Sequence, residues 1–187
     1  DKDKIFNEFN LDRTKPVILF FGGGEFGLGK DRTIQILDAL IHNLPSFQIV
    51  AISGRNPKMN SGFKELVRDA HAQNRVKVLD YTNQVPELMS ISNIVVTKPG
   101  GLTTSESLAS ELPMLIINPI PGQEEENAEF LEANNVGVWL KKKEDPNAFI
   151  QELFSNPQKL EEMKKHSKTL AKKNSTKDIC EAIMKLL

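Results

Sequence analysis

Apolar residues gather in six short runs, at Val17 to Phe21, Gln48 to Ile52, Val76 to Leu79, Ile94 to Thr97, Met114 to Ile117 and Val136 to Leu140. Runs of this length, rich in β-branched and aromatic residues, predict buried strands. Between them the apolar positions space out to a helical period at Asp31 to Leu44, Lys58 to Gln73, Pro86 to Ile91, Leu102 to Ser110 and Glu124 to Asn134. Strand and helix alternate, which predicts an α/β fold: a Rossmann-like, doubly wound parallel sheet with helices on both faces. After the last strand only helical patterns follow, at Pro146 to Phe154, Pro157 to Lys173 and Thr176 to Leu187. The last is amphipathic through Ile179, Ile183, Met184 and Leu187.

Composition adds little to this picture. The 187 residues are 39% hydrophobic and 26% charged, as in ordinary globular proteins. A net charge of -1 argues against a nucleic-acid partner, which usually demands a basic excess. The lysines of Lys141 to Lys143 and of the tract Lys159 to Lys177 suit solvated faces of terminal helices. The single Cys180 excludes an internal disulfide and points to a reducing compartment. There is no stretch of the roughly 20 apolar residues that span a bilayer, and no signal peptide is visible. The chain begins at Asp1 rather than Met, so a fragment of a longer protein is expected.

In open α/β sheets ligands bind beyond the carboxyl ends of the strands, and the loops there carry the unusual residues. The first is Gly22-Gly23-Gly24-Glu25-Phe26-Gly27-Leu28-Gly29-Lys30. Its glycines fit G-x-G-x-x-G, yet the second strand ends in Ser53-Gly54-Arg55, where a dinucleotide site needs an acidic residue for the ribose. Gly24 to Lys30 fits G-x-x-x-x-G-K, but Asp31 stands where a Walker loop has its magnesium-binding hydroxyl. The loop after the fourth strand is more specific. Pro99 stops the strand, Gly100 and Gly101 permit a tight turn, and a helix opens with Thr103, Thr104 and Glu106. Free amides at a helix start suit phosphate, and a carboxylate one turn in suits a ribose diol or, equally, a helix cap. His42, His71 and His166 fall on predicted helices with no partner at catalytic spacing, which suits structural or surface roles. No D-x-D cluster follows a strand, so no metal or cofactor is expected.

Four motifs in this order carry a resemblance: Gly22-Gly23-Gly24-Glu25, Gly54-Arg55-Asn56, Thr97-Lys98-Pro99-Gly100-Gly101 with Ser105-Glu106, and Gly122-Gln123-Glu124 with Asn127. From about Pro16 to Leu140 the chain resembles the C-terminal half of monogalactosyldiacylglycerol synthases and processive diacylglycerol glucosyltransferases, members of glycosyltransferase family 28. More distantly it resembles the peptidoglycan enzyme that adds N-acetylglucosamine to lipid I.

The resemblance implies a GT-B glycosyltransferase whose donor-binding domain, residues 1–187 with terminal helices over 145–187, holds a UDP-sugar. It implies that Tyr81 and Thr82 hold the uracil and that Glu106 holds the ribose. Gly22, Gly23, Gly24, Gly100, Gly101 and Thr103 would cradle the diphosphate, with Arg55 and Lys98 as neighbours. Gln123 and Glu124 would take sugar hydroxyls, and Asn127 would orient their loop. It places the acceptor site and catalytic base in an absent N-terminal domain, so that the catalytic residue is unknown, and implies a lipid acceptor such as diacylglycerol and a cytoplasmic enzyme peripheral to a membrane surface. Two alternatives remain at this stage: a UDP-sugar epimerase domain, or a non-enzymatic donor-binding subunit of a two-chain transferase.

Overall fold

A computed structural model describes residues 2–23 and 29–186. Six parallel strands form one sheet: β1 (Val17–Phe21), β2 (Gln48–Ile52), β3 (Val76–Leu79), β4 (Ile94–Thr97), β5 (Met114–Ile116) and β6 (Gly137–Trp139), in the order β3-β2-β1-β4-β5-β6. The expected Rossmann-like fold class is observed.

The apolar runs are continuous because both faces of the sheet are covered. Ile18, Phe20, Ile49, Ala51, Ile94 and Val96 point to one core, built with α2 (Lys30–Asn43), α3 (Pro57–Asp69) and α7 (Pro146–Phe154). The alternate residues Val17, Leu19, Val50, Ile52 and Val95 point to the other, with α1 (Lys2–Glu8), α4 (Val85–Ile91) and α6 (Gln123–Ala133). α5 (Gly101–Ala109) lies against α8 (Pro157–Leu170), and α9 (Ser175–Met184) follows.

Helix α1 has no counterpart in the sequence expectations. Seven residues are too few to show a period, and Ile5 is buried by packing of α1 on α4. The last two strands are shorter than their apolar runs, since Ile117, Val136 and Leu140 lie in the core beyond the ends of the strands. The last helix departs most. Ile179, Ile183 and Met184 form an apolar side as expected, yet α9 buries none of its residues, and Leu187 lies outside the described residues.

The strand order reverses between β1 and β4, each of which leads to a helix on a different face. Such a switch point opens a crevice at the carboxyl edge.

Candidate functional site

The crevice is a cleft of about 230 Å³ lined by Phe21, Gly23, Ile52, Gly54, Thr97, Lys98, Gly100, Thr103 and Glu124. It meets a second cleft, of about 360 Å³, at Gly54; Arg55, Asn56, Asn60, Asp80 and Tyr81 help line that one. Together they run from the loop after β3, across the switch point, to the start of α6.

Gly22 has a packing role that its motif did not show. Its amide is spent on the Ile52 carbonyl at 2.8 Å, and a Cβ there would come within 2.8 Å of Phe63 Cζ. Glycine is needed at this position so that the Phe63 ring, stacked edge-on to Phe20, can pass beneath the end of β1. Gly23 does enter the cleft, at φ 97, a left-handed conformation that favours glycine. The Lys98 side chain runs alongside it, with Cε 3.4 Å from where a Cβ would stand. Gly24 lies outside the described residues, as does most of the glycine loop.

Lys98 has no carboxylate partner among the described residues. Beside it α5 follows its N-cap Gly100, with no side-chain cap. The first amides of a helix have no acceptor within it, and here none is supplied by a neighbouring side chain among the described residues. A half-buried cation and an uncapped positive helix end therefore face one cleft, a combination suited to a multiply charged anion. Thr103 adds a hydroxyl to the lining, while Gly101 leaves the space around its α-carbon open. Thr104 Oγ1 is buried with no hydrogen-bond partner among the described residues.

In the second cleft the Arg55 guanidinium carbon stands 4.6 Å from the centroid of the Tyr81 ring, and both side chains are exposed. Beneath them Asn60 donates to Ser53 Oγ at 3.0 Å and to Asp80 Oδ1. Asn56 caps α3 by accepting from the Met59 amide. Thr82 Oγ1 accepts from the Gln84 amide at 3.1 Å, which shapes the entry to α4.

On the far side, Glu124 Oε2 accepts from the Ile120 amide at 2.7 Å, and Oε1 lies 3.9 Å from the Cβ position of Gly100. The Asn127 amide donates to the Pro99 carbonyl at 2.8 Å. Gln123, at the first position of α6, is exposed. Glu106 is exposed on the second turn of α5, outside the lining of both clefts, and has no partner among the described residues. His42, His71 and His166 are all exposed and line neither cleft.

A sheet with its crevice at a β1/β4 switch point, and an anion-suited cleft between two polar loops, is the arrangement of a nucleotide-binding Rossmann-like domain. The chain belongs to the family described as glycosyl transferases group 1, whose model matches residues 1–174. It is 35% identical over 189 residues to a processive diacylglycerol beta-glucosyltransferase of Staphylococcus epidermidis, covering 100% of this chain and 46% of that protein. A protein of the same description from Bacillus licheniformis is 30% identical over 179 residues, covering 96% of this chain and 45% of that one. The chain thus spans slightly under half the length of these relatives. Among solved structures it is similar to Acinetobacter baumannii MurG, with a TM-score of 0.73 and 22% identity over 91% of this chain and 50% of that one. It is likewise similar to Anabaena Alr3699/HepE in complex with UDP and glucose, with a TM-score of 0.68 and 19% identity over 98% of this chain and 52% of that one. The fold is that of the C-terminal half of a GT-B glycosyltransferase, as the sequence resemblance implied.

Proposed function

We propose that this chain is the donor-binding domain of a longer, two-domain enzyme that transfers a hexose from UDP to a lipid acceptor such as diacylglycerol. The observation that carries this reading is the pairing of Lys98, which has no carboxylate partner among the described residues, with the uncapped start of α5 beside it at one cleft. The descriptions of the relatives support the lipid acceptor, and the UDP and glucose in the HepE complex support the donor. Among the described residues no helix is long and apolar enough to cross a membrane. We place the full enzyme at a membrane surface because its acceptor is a lipid.

On this reading the nucleotide lies along the joined clefts. The uracil stacks by Tyr81 and Arg55, with main-chain groups around Thr82 pairing its edge. The diphosphate spans Gly23, Gly100, Gly101 and Thr103 with Lys98 beside it. The ribose hydroxyls reach out to Glu106, which is free to accept both. The hexose lies toward Gln123 and Glu124, whose amide and carboxylate complement sugar hydroxyls. When the bond from the sugar to the β-phosphate breaks, negative charge grows on the departing diphosphate. Helix amides and Lys98, fixed in advance, stabilise it there. The base that takes the acceptor proton belongs to the other domain.

Calorimetry on the 187-residue chain tests the reading. UDP and UDP-hexoses bind, ADP and NAD bind more weakly, and no hexose is transferred by the chain alone. Equal affinity for UDP and ADP overturns the uridine assignment.

A further inference from the structure

We infer that Asn127 is a positioning residue for the diphosphate-binding turn. This rests on the donor-site reading above and adds to it the device that aims the phosphate-binding amides.

The turn from Lys98 to Gly101 is held at its far end by α5, where the Gly100 carbonyl accepts from the Thr104 amide at 2.9 Å and the Gly101 carbonyl from the Ser105 hydroxyl at 2.9 Å. The Pro99 peptide between strand and helix has no such local partner among the described residues. Hydrogen bonding between β4 and its neighbour ends where the Ile117 amide meets the Thr97 carbonyl, at 3.0 Å. The Lys98 carbonyl is taken by the Thr97 hydroxyl next door. Pro99 has no N–H to give, and Gly100 and Gly101 have no side chains. Gly101 would meet nothing within 4 Å even if it carried a Cβ. Two adjacent glycines of this kind leave the backbone free to take many conformations. Among the described residues, one hydrogen bond reaches this turn from another element: Asn127 Nδ2 to the Pro99 carbonyl, 2.8 Å across 28 residues of sequence. It fixes the peptide that enters Gly100, and so the direction in which the first amides of α5 point.

The donor comes from a rigid place. Asn127 is half-buried on α6, one turn beyond Gln123 and Glu124, and the next residue, Ala128, is fully buried. With its amide nitrogen committed to Pro99, Asn127 faces the turn, while Glu124, three residues earlier, holds the Ile120 amide. The helix that presents the sugar-facing residues therefore also sets the geometry of the phosphate site.

Titrations of uridine, UDP and UDP-glucose against the wild-type chain, Asn127→Asp and Asn127→Ala test this. Asn127→Asp keeps the shape and removes the donor. Both variants are expected to bind UDP and UDP-glucose more weakly by one common factor, about three- to tenfold, with uridine unaffected. In the ligand-free variants, the backbone NMR signals of Gly100 and Gly101 shift while those of Gly54 do not. A loss confined to UDP-glucose makes Asn127 a sugar contact, and an equal loss for uridine makes it merely structural; either overturns the inference, as does no change at all. If the wild type binds no UDP, the donor-site reading fails by itself. Unmoved Gly100 and Gly101 signals would then still overturn the positioning role.

Discussion

Lys98 lies along Gly23, its Cε 3.4 Å from the place a Cβ would occupy, so one residue's charge is aimed by the other's lack of a side chain. Lys98→Met is expected to lower UDP affinity by about 1.5–3 kcal/mol, the usual worth of a hydrogen bond to a charged group. Uridine, which lacks the phosphates, binds as before. The difference between wild type and variant narrows as salt is added, because screening weakens the wild-type attraction. Calorimetry at two ionic strengths checks both statements.

Glu106 stands exposed, with no partner among the described residues, so its replacement costs the fold little. Glu106→Gln is expected to weaken UDP binding by about 1–3 kcal/mol through lost charge-assisted bonds to the ribose. Affinity for 2′,3′-dideoxy-UDP stays unchanged. Equal losses for the two ligands would show that Glu106 serves the helix instead.

Gln123 and Glu124 should separate in their effects although they are adjacent. Gln123→Ala lowers affinity for UDP-glucose or UDP-galactose by about 0.5–1.5 kcal/mol and leaves UDP alone. Glu124→Ala does the same and also lowers the melting temperature, since it removes the bond to the Ile120 amide and a carboxylate from the first turn of α6. Thermal melts beside the titrations distinguish the two.

At the opposite end of the sheet, Arg75 closes the carboxyl end of α2 by donating to the carbonyls of Ile41 at 2.6 Å and of Leu44 and Phe47 at 3.4 Å. Burial lowers its guanidinium pKa from the ordinary value. Arg75→Met is expected to cost about 1.5–3 kcal/mol in urea unfolding. UDP affinity does not change, because the proposed nucleotide site is at the other edge.

Glu111 carries a carboxyl held below its ordinary value of 4.5, first by the hydrogen bond from Lys173 at 2.6 Å. A lowered carboxyl adds stability at pH values above the unfolded pKa and loses it as pH falls through the folded one. The stability difference between wild type and Glu111→Gln is therefore present at neutral pH and disappears on acidification below about 4.5. Urea titrations at pH 7 and pH 3 measure it.

The strands were legible because two-sided burial writes itself as unbroken apolar runs, as in Val17–Phe21. Gly22 shows what a local reading does not see. A glycine after a strand looks the same whether or not a phenylalanine ring 41 residues away in sequence passes beneath it. Asn127 is similar: nothing in its motif shows that its side chain donates to the Pro99 carbonyl, 28 residues earlier. The apolar side of α9 was visible in the periodicity of Ile179 and Ile183, but a pattern names a face and not what covers it.

Gly54, at φ 66, is the one residue among those described that the two clefts share. On one side of it stand Arg55 and Tyr81, carried by the loops after β2 and β3; on the other stands Glu124, carried by α6. These side chains have no contact with one another in the hydrogen-bond and ion-pair network of the described residues. On the proposed reading, preference for a base and preference for a sugar are written in separate parts of the chain, and each can be redesigned without disturbing the other. A change of hexose then needs no change of nucleotide.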